Sequence, residues 1–202
     1  MEGRAEFFLA PIFAQRFAAS PIFSGRFKKS LVWFESFLRN PISRSYNADE
    51  TSTDFCVFSD ASLEGLGVVV YSRCGVARSF SSPVPDSFKN MPEGVNRIYI
   101  LELAAALLAL KALRMFPYPK GGKRIFLFVD NNACLSALVK ADAKCPYGAN
   151  VAYKFWEEAG ESEVVPWLER VPTALNPADA PSRRRGDFCP APFPPGVGVP
   201  AF

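Results

Sequence analysis

The stretch "FCVFSDAS", residues 55–62, runs through apolar and small residues and then reaches one carboxylate, Asp60. It reads as a buried strand. A strand of that kind ending on an acid calls for an explanation, because a carboxylate in apolar surroundings is costly unless it is paired or neutralised. The residues that follow make the stretch the first strand of a sheet. "LEG" at 63–65 is a turn signal, "GLGVVVYS" at 65–72 a second strand, and "GVARSFS" at 75–81 a third after another glycine-containing turn. The three form an antiparallel meander.

Beyond the meander, Pro83, Pro85, Pro92 and Gly94 mark residues 83–96 as a loop. Asn96 is placed to cap the helix "RIYILELAAALLALKALRMF", 97–116, which is apolar nearly all round and therefore expected to be buried; Pro117 and Pro119 end it. "RIFLFV", 124–129, is a continuous apolar strand of the kind found inside parallel sheets. It leads through Asp130 into a helix over 131–141, and a further helix covers 148–160. "EVVPWLERV", 163–171, is a strand whose Pro166 assigns it to a sheet edge, since proline cannot donate to a central ladder. "NPADAPSRRR", 176–185, begins a short helix with Asn176 as N-cap and Pro177 at the first helical position. This order predicts an α/β fold: a mixed five-stranded sheet with helices on its faces. The fourth strand lies beside the first and parallel to it, reached by a right-handed crossover through the long helix.

The flanks read differently. "PIFAQRF" at 11–17 and "PIFSGRF" at 21–27 repeat at a ten-residue offset, too few copies for a solenoid. "SLVWFESFLRN", 30–40, reads as an amphipathic helix with Ser30 as N-cap and Leu31, Phe34, Phe37 and Leu38 on one side. Residues 41–53 read as a linker, and the proline-rich tail has little to bury. The expected division is an extension over 1–53, a domain over 54–186 and a tail over 187–202.

Composition narrows the chemistry. With 202 residues, 49% hydrophobic and 21% charged, the chain suits one main domain of ordinary soluble composition. Glu102 and Lys111 interrupt the longest apolar run, so no membrane span is expected. Five scattered cysteines with no CxxC pair suggest neither a disulfide framework nor a zinc site, and favour a reducing intracellular compartment, cytoplasm or nucleus. No secretory signal is visible, and Glu2 and Glu6 argue against a mitochondrial transit peptide. The net charge of +3 does not by itself announce nucleic-acid binding, although Arg183, Arg184 and Arg185 form a basic cluster. The chain has no histidine, which excludes Ser-His-Asp and Cys-His catalysis and imidazole bases. Carboxylates, lysine or a cofactor remain.

Four acids stand out. The topology sets Asp60 and Asp130 at the C-terminal ends of neighbouring parallel strands, the edge where α/β sheets gather their chemistry. Glu102 is the only acid in the buried helix, on a face with Ile98, Ala105, Ala106 and Ala109 that can approach the sheet closely. Asp179 lies in the first turn of the last helix, where the dipole favours a carboxylate. Singly, each is explained as a turn residue, a cap or an ion-pair partner. Together, four converging carboxylates repel one another unless cations neutralise them, and oxygen ligands without histidine or cysteine select Mg²⁺ or Mn²⁺.

"VFSDAS" followed by "GLGVVVYS", then "ILELAAALLAL", "LFVDNNACLSAL" and "WLERVPTALNPADAPSR", resemble the ribonuclease H domain of retroelement reverse transcriptases, particularly retrotransposons that carry tyrosine recombinases (DIRS-like), over roughly residues 54–186. The resemblance implies an RNase H-like fold and hydrolysis of the RNA strand of an RNA·DNA hybrid with two Mg²⁺ or Mn²⁺ ions. The family's acids correspond to Asp60, Glu102, Asp130 and Asp179. Asp60 would bridge both ions, with Glu102 and Asp130 on one and Asp179 on the other. One ion would activate the attacking water and the other stabilise the leaving 3′ oxygen, about 3.5–4 Å apart. Ser62 and Asn132, close to those acids, are candidates for contacts to 2′-hydroxyls and equally read as turn and helix-start residues; Arg183 and Arg184 are further nucleic-acid-binding candidates.

Two departures bear on substrate. Cellular members commonly carry a histidine before the last acid, and many have a basic helical protrusion, for which only "DAKCPY", 142–147, is available here. Weak hybrid affinity is therefore expected of the isolated chain. "LVWFESFLRNPISR", 31–44, resembles the segment that links a polymerase to its ribonuclease H domain, implying a polymerase partner and a longer polyprotein. The competing expectations are a catalytically inactive RNase H-like binding or scaffold module, and another nuclease or integrase on the same fold.

Overall fold

The computed structural model describes residues 11–12, 15, 24–39, 53–116, 123–141, 143 and 145–184. The linker is described only at Thr53. Most of the ten-residue repeat, the tail 187–202, Arg185, and Asp142 and Lys144 of the short segment between the middle helices lie outside the described residues.

Helix α1 spans Gly25–Arg39. Ser24 opens it, its hydroxyl accepting from the Phe27 amide at 3.1 Å and its carbonyl from the Lys28 amide at 3.1 Å. Ser30, expected as the cap, is buried inside the helix. The turn 25–29 is helical too, and its Phe27 continues the apolar spacing of Leu31 and Phe34 one turn earlier. Trp33 and Phe34 pack toward the main core, and the Lys29 ammonium lies 5.7 Å from the Tyr153 ring centre.

The sheet is built as the sequence predicts. Strand β1 (Phe55–Ala61) pairs antiparallel with β2 (Gly65–Ser72), and β2 with β3 (Ala77–Pro83). Strand β4 (Lys123–Val129) runs parallel to β1, from Phe55 beside Ile125 to Phe58 beside Phe128. Strand β5 (Val164–Arg170) pairs parallel with β4 and is an edge strand, which accommodates Pro166. The order is β3-β2-β1-β4-β5.

Local chemistry moves several boundaries. Gly75, at a φ of 81°, closes the β2–β3 turn, so β3 starts two residues later than expected. A four-residue helix, α2 (Asp86–Lys89), interrupts the expected loop. Helix α3 (Arg97–Leu113) is capped by Asn96, whose side chain accepts from the Tyr99 amide at 3.2 Å; its last turn tightens into three-residue bonds before Pro117. Helix α4 (Asn132–Val139) is capped by Asn131 through the Ala133 and Cys134 amides. Helix α5 (Pro146–Glu161) begins earlier than expected, behind the Cys145 thiol and with Pro146 at its first position.

The two faces of the sheet differ. One carries Val57, Val68, Val70 and Leu127 against α3 and α5 and forms the main core. The other carries Cys56, Phe58, Val69, Tyr71 and Phe128, with Phe58 and Phe128 stacked 4.7 Å apart. On that second face lies α6 (Asp179–Ser182), after a single 3₁₀ turn at Thr173–Leu175. Asn176 is not the helix cap it was expected to be, and Pro177 is not the first helical residue. The Asn176 side chain instead accepts from the Ala178 amide at 3.1 Å and donates to the Ser59 carbonyl at 3.0 Å, tying the chain to β1 before the helix starts.

Helix α6 rests on a gap in β2. A β-carbon on Gly67 would stand 2.3 Å from the Ala178 carbonyl oxygen and 2.4 Å from the Ser182 nitrogen, both backbone atoms that cannot rotate away. Gly67→Ala should therefore lift α6 and destabilise the chain by about 1–3 kcal/mol. Urea denaturation of the variant measures this; unaltered stability would refute the seating.

Candidate metal centre

Three of the four acids meet. One carboxylate oxygen from each of Asp60, Glu102 and Asp130 lies within 4.8 Å of the other two. The backbone accounts for the meeting. Phe58 and Phe128 are neighbours in the parallel β1–β4 pair, so Asp60 and Asp130 leave the sheet side by side two residues later. Glu102 reaches them from α3, which lies on the sheet through the fully buried Ala105, Ala106 and Ala109. Ile98, expected on that face, is instead exposed at the outer end of the helix.

Asp60 and Glu102 are 5% and 4% exposed, so solvent does little to neutralise them. At 4.8 Å and an effective dielectric of ~20, two such charges repel by about 3 kcal/mol. Burial, followed by the charges of Asp60 and Asp130, pushes the Glu102 carboxyl up to about 9. Burial also raises Asp60 to about 6, helped by Asp130 and Asp179 and opposed by a hydrogen bond from Ser182 and the charge of Arg183. No ion pair reaches Asp60, Glu102 or Asp130 among the described residues, and Glu102 Oε2 is buried without a hydrogen-bond partner. Three converging carboxylates with one orphaned oxygen are a donor set that suits a hard divalent cation. Beneath them Cys134 is fully buried, its thiol raised well above its usual range by burial and by the charges of Glu102 and Asp130. It stays protonated and offers no competing soft ligand.

Asp179 stands outside this trio. Its Oδ1 accepts from Arg183 Nε at 2.9 Å and Nη2 at 2.8 Å, one turn later in the chain. Both side chains are about two-fifths exposed, and exposed pairs at this spacing are worth only ~0.3–0.5 kcal/mol. The pair therefore holds Asp179 lightly. Arg183, a nucleic-acid-binding candidate, is thus engaged with an acid, while Arg184 is exposed and adopts a φ of 51°.

Ser62 is committed within the protein. Its hydroxyl donates to the Ser182 carbonyl at 2.8 Å and accepts from the Glu64 and Gly65 amides, bracing the β1–β2 turn. Asn132 is exposed in the first turn of α4. Sequence reading overlooked Ser182. It is completely buried, and its hydroxyl donates to Asp60 Oδ2 at 2.5 Å with the Asp179 carbonyl as alternative acceptor at 2.8 Å. Its only sequence signal is its place three residues after Asp179, and nothing local says that it faces Asp60.

No protein-family model and no curated protein matches the sequence. Among solved structures, the chain resembles an RNase H1 isolated from compost by a metagenomic approach, with a TM-score of 0.51, 18% identity, and coverage of 64% of this chain and 93% of that one. It also resembles RNase H1 from the halophilic archaeon Halobacterium salinarum, with a TM-score of 0.47, 19% identity, and coverage of 61% and 89%. A third is the N-terminal RNase H domain of a Mycobacterium tuberculosis protein fused to maltose binding protein, with a TM-score of 0.44, 14% identity, and coverage of 62% and 86%. At these identities the likeness is one of fold. The mixed sheet in the order β3-β2-β1-β4-β5, with helices on both faces, is the RNase H-like fold.

The raised acids set a pH dependence with a definite sign. Without metal, the folded chain keeps protons on Asp60 and Glu102 that the unfolded chain has lost, so this contribution to stability is complete below about pH 4. It is lost as pH rises, through about 6 for Asp60 and about 9 for Glu102. Binding of Mn²⁺ at a hundredfold excess over its dissociation constant would add about 2.7 kcal/mol. Melting in EDTA and in Mn²⁺ from pH 5 to 9 should show the metal-induced rise in Tm growing with pH; a rise that shrinks would refute the assignment.

Proposed function

We propose that this chain is a metal-dependent endoribonuclease that hydrolyses the RNA strand of RNA·DNA hybrids. The single observation that carries this reading is the meeting of Asp60, Glu102 and Asp130, one from each of three elements, around an unpartnered buried carboxylate oxygen. Carboxylates crowded in this way lower the stability of the metal-free chain, which suits a site whose purpose is to hold cations rather than to brace the fold.

In this reading Asp60, Glu102 and Asp130 would hold one Mg²⁺ or Mn²⁺, and Asp179 would help to hold a second. Metals held there would supply Lewis-acid stabilisation of the phosphodiester and activation of the attacking water. The protein's own part is to collect and orient the acids. Glu102 must lose its proton as metal enters, because only the carboxylate is a ligand. Asp179 must leave Arg183, at the small cost of an exposed ion pair. The released guanidinium is then free for a phosphate of the hybrid, a planar partner it suits. Asn132 stands exposed within two residues of Asp130 and is the better placed candidate for a 2′-hydroxyl, since the Ser62 hydroxyl is already committed.

The motifs around these acids support a setting within a retroelement reverse transcriptase. The polymerase domain would then supply grip on the hybrid, and α1, through Trp33 and Phe34 against the core, would be the connecting element.

An end-labelled RNA·DNA hybrid in Mg²⁺ or Mn²⁺ tests the activity, with duplex RNA as control. Hybrid-specific cutting is expected, and Asp60→Asn should reduce it by more than about 100-fold, beyond the loss typical of removing a metal's outer-shell support. A folded chain that binds metal and leaves the hybrid intact would point to the inactive binding module instead.

A further inference from the structure

Asp60 is a single carboxylate at the end of a strand, and two staples from the last segment of the chain hold it. Asn176 donates to the Ser59 carbonyl at 3.0 Å, which fixes the peptide leading into Asp60. Ser182 donates to Oδ2 of the side chain, the only hydrogen bond that side chain receives among the described residues. The terminal torsion of an aspartate is otherwise broad and roughly two-fold, so this bond decides which way the carboxylate faces.

Ser182 can do this because it is itself immobilised. Its amide donates to the Ala178 carbonyl at 3.0 Å, its carbonyl accepts from the Ser62 hydroxyl at 2.8 Å, and its backbone sits in the gap left by Gly67. Its hydroxyl has one proton and two acceptors, Asp60 Oδ2 and the Asp179 carbonyl. It therefore sets the carboxylate of Asp60 against the backbone that presents Asp179. The neighbouring Arg183 offers no comparable hold, being exposed and paired with Asp179, four residues back.

We propose that Ser182 is a positioning residue for the metal centre, fixing the Asp60 carboxylate in register with Asp179 so that cations meet a preformed ligand set. The proposal rests on the metal-dependent reading above. Outer-shell partners of this kind typically contribute about 10–100-fold to metal affinity.

Titration of the full chain with Mn²⁺ alone, followed calorimetrically, tests it without nucleic acid. Ser182→Ala should raise the Mn²⁺ dissociation constant about tenfold or more. Ser182→Cys, similar in volume but a weak donor, should shift it in the same direction. Ser81→Ala is the structural comparison. It removes the Ser81 hydroxyl bond to the Pro181 carbonyl, 2.8 Å long, and so loosens the same helix without touching Asp60. It should bind Mn²⁺ as the unaltered chain does, with melting midpoints reporting the loss of helix seating in each variant. If Ser182→Ala binds Mn²⁺ as tightly as the unaltered chain, the positioning role is overturned and the metal reading stands. If Ser81→Ala loses as much affinity, Ser182 acts only through the seat of the helix and the role is likewise overturned. If the unaltered chain binds no Mn²⁺, both readings fall together.

Discussion

Crowding of like charge at the end of β1 is the constraint on which the rest of the structure turns. Three carboxyl groups within 4.8 Å, two of them nearly without solvent, resist ionising together in a metal-free fold. The strands and helices that bring them together are stable for other reasons. The apolar face of β1, β2 and β4 against α3 provides the core, and the acids occupy the rim where that core stops. The site is thus a local conflict held in place by a larger agreement, an arrangement common where a fold carries function.

The second face of the sheet contributes as much to the site as the first. Its cover among the described residues is α6, four residues long and too short to be stable alone. What holds it is a set of side-chain bonds between the segment and the sheet: the Ser62 and Ser81 hydroxyls donate to the Ser182 and Pro181 carbonyls, and the Asn176 side chain donates back to the Ser59 carbonyl of β1. Each requires the backbone of the segment to lie almost on the strands, and Gly65 and Gly67 make that possible. A hydroxyl-rich, glycine-spaced sheet face is therefore the means by which a weak helix delivers Asp179 and Ser182 to the same rim.

Much of this was legible along the chain. The apolar strands, the Asn96 cap, the proline-marked edge strand and the long apolar helix all follow from local chemistry, and the structure carries each of them. Misreadings arose where a local signal was overlooked or where distant packing overrode it. Ser30 suits a helix start, yet the helix begins at Ser24, because Phe27 continues the apolar spacing of Leu31 and Phe34 one turn earlier. Asn176 before Pro177 is a strong capping pattern, yet Asn176 spends its side chain on a turn and on β1, because a partner 117 residues away satisfies its amide. Ile98 falls on the helical face of Glu102 by angle, but at the first turn that face has run past the sheet.

By itself the sequence determined the strands, the long helices and their order along the chain, since continuous apolar runs, helix periodicity and turn residues are properties of short stretches. Only the tertiary structure decided which acids meet. Asp60, Glu102 and Asp130 converge because parallel pairing and an alanine face bring three distant segments together, while Asp179 turns to Arg183, four residues on at the end of its helix. The tertiary structure also gave Ser182 its place, for a hydrogen bond across 122 residues leaves no trace in the local pattern at either end.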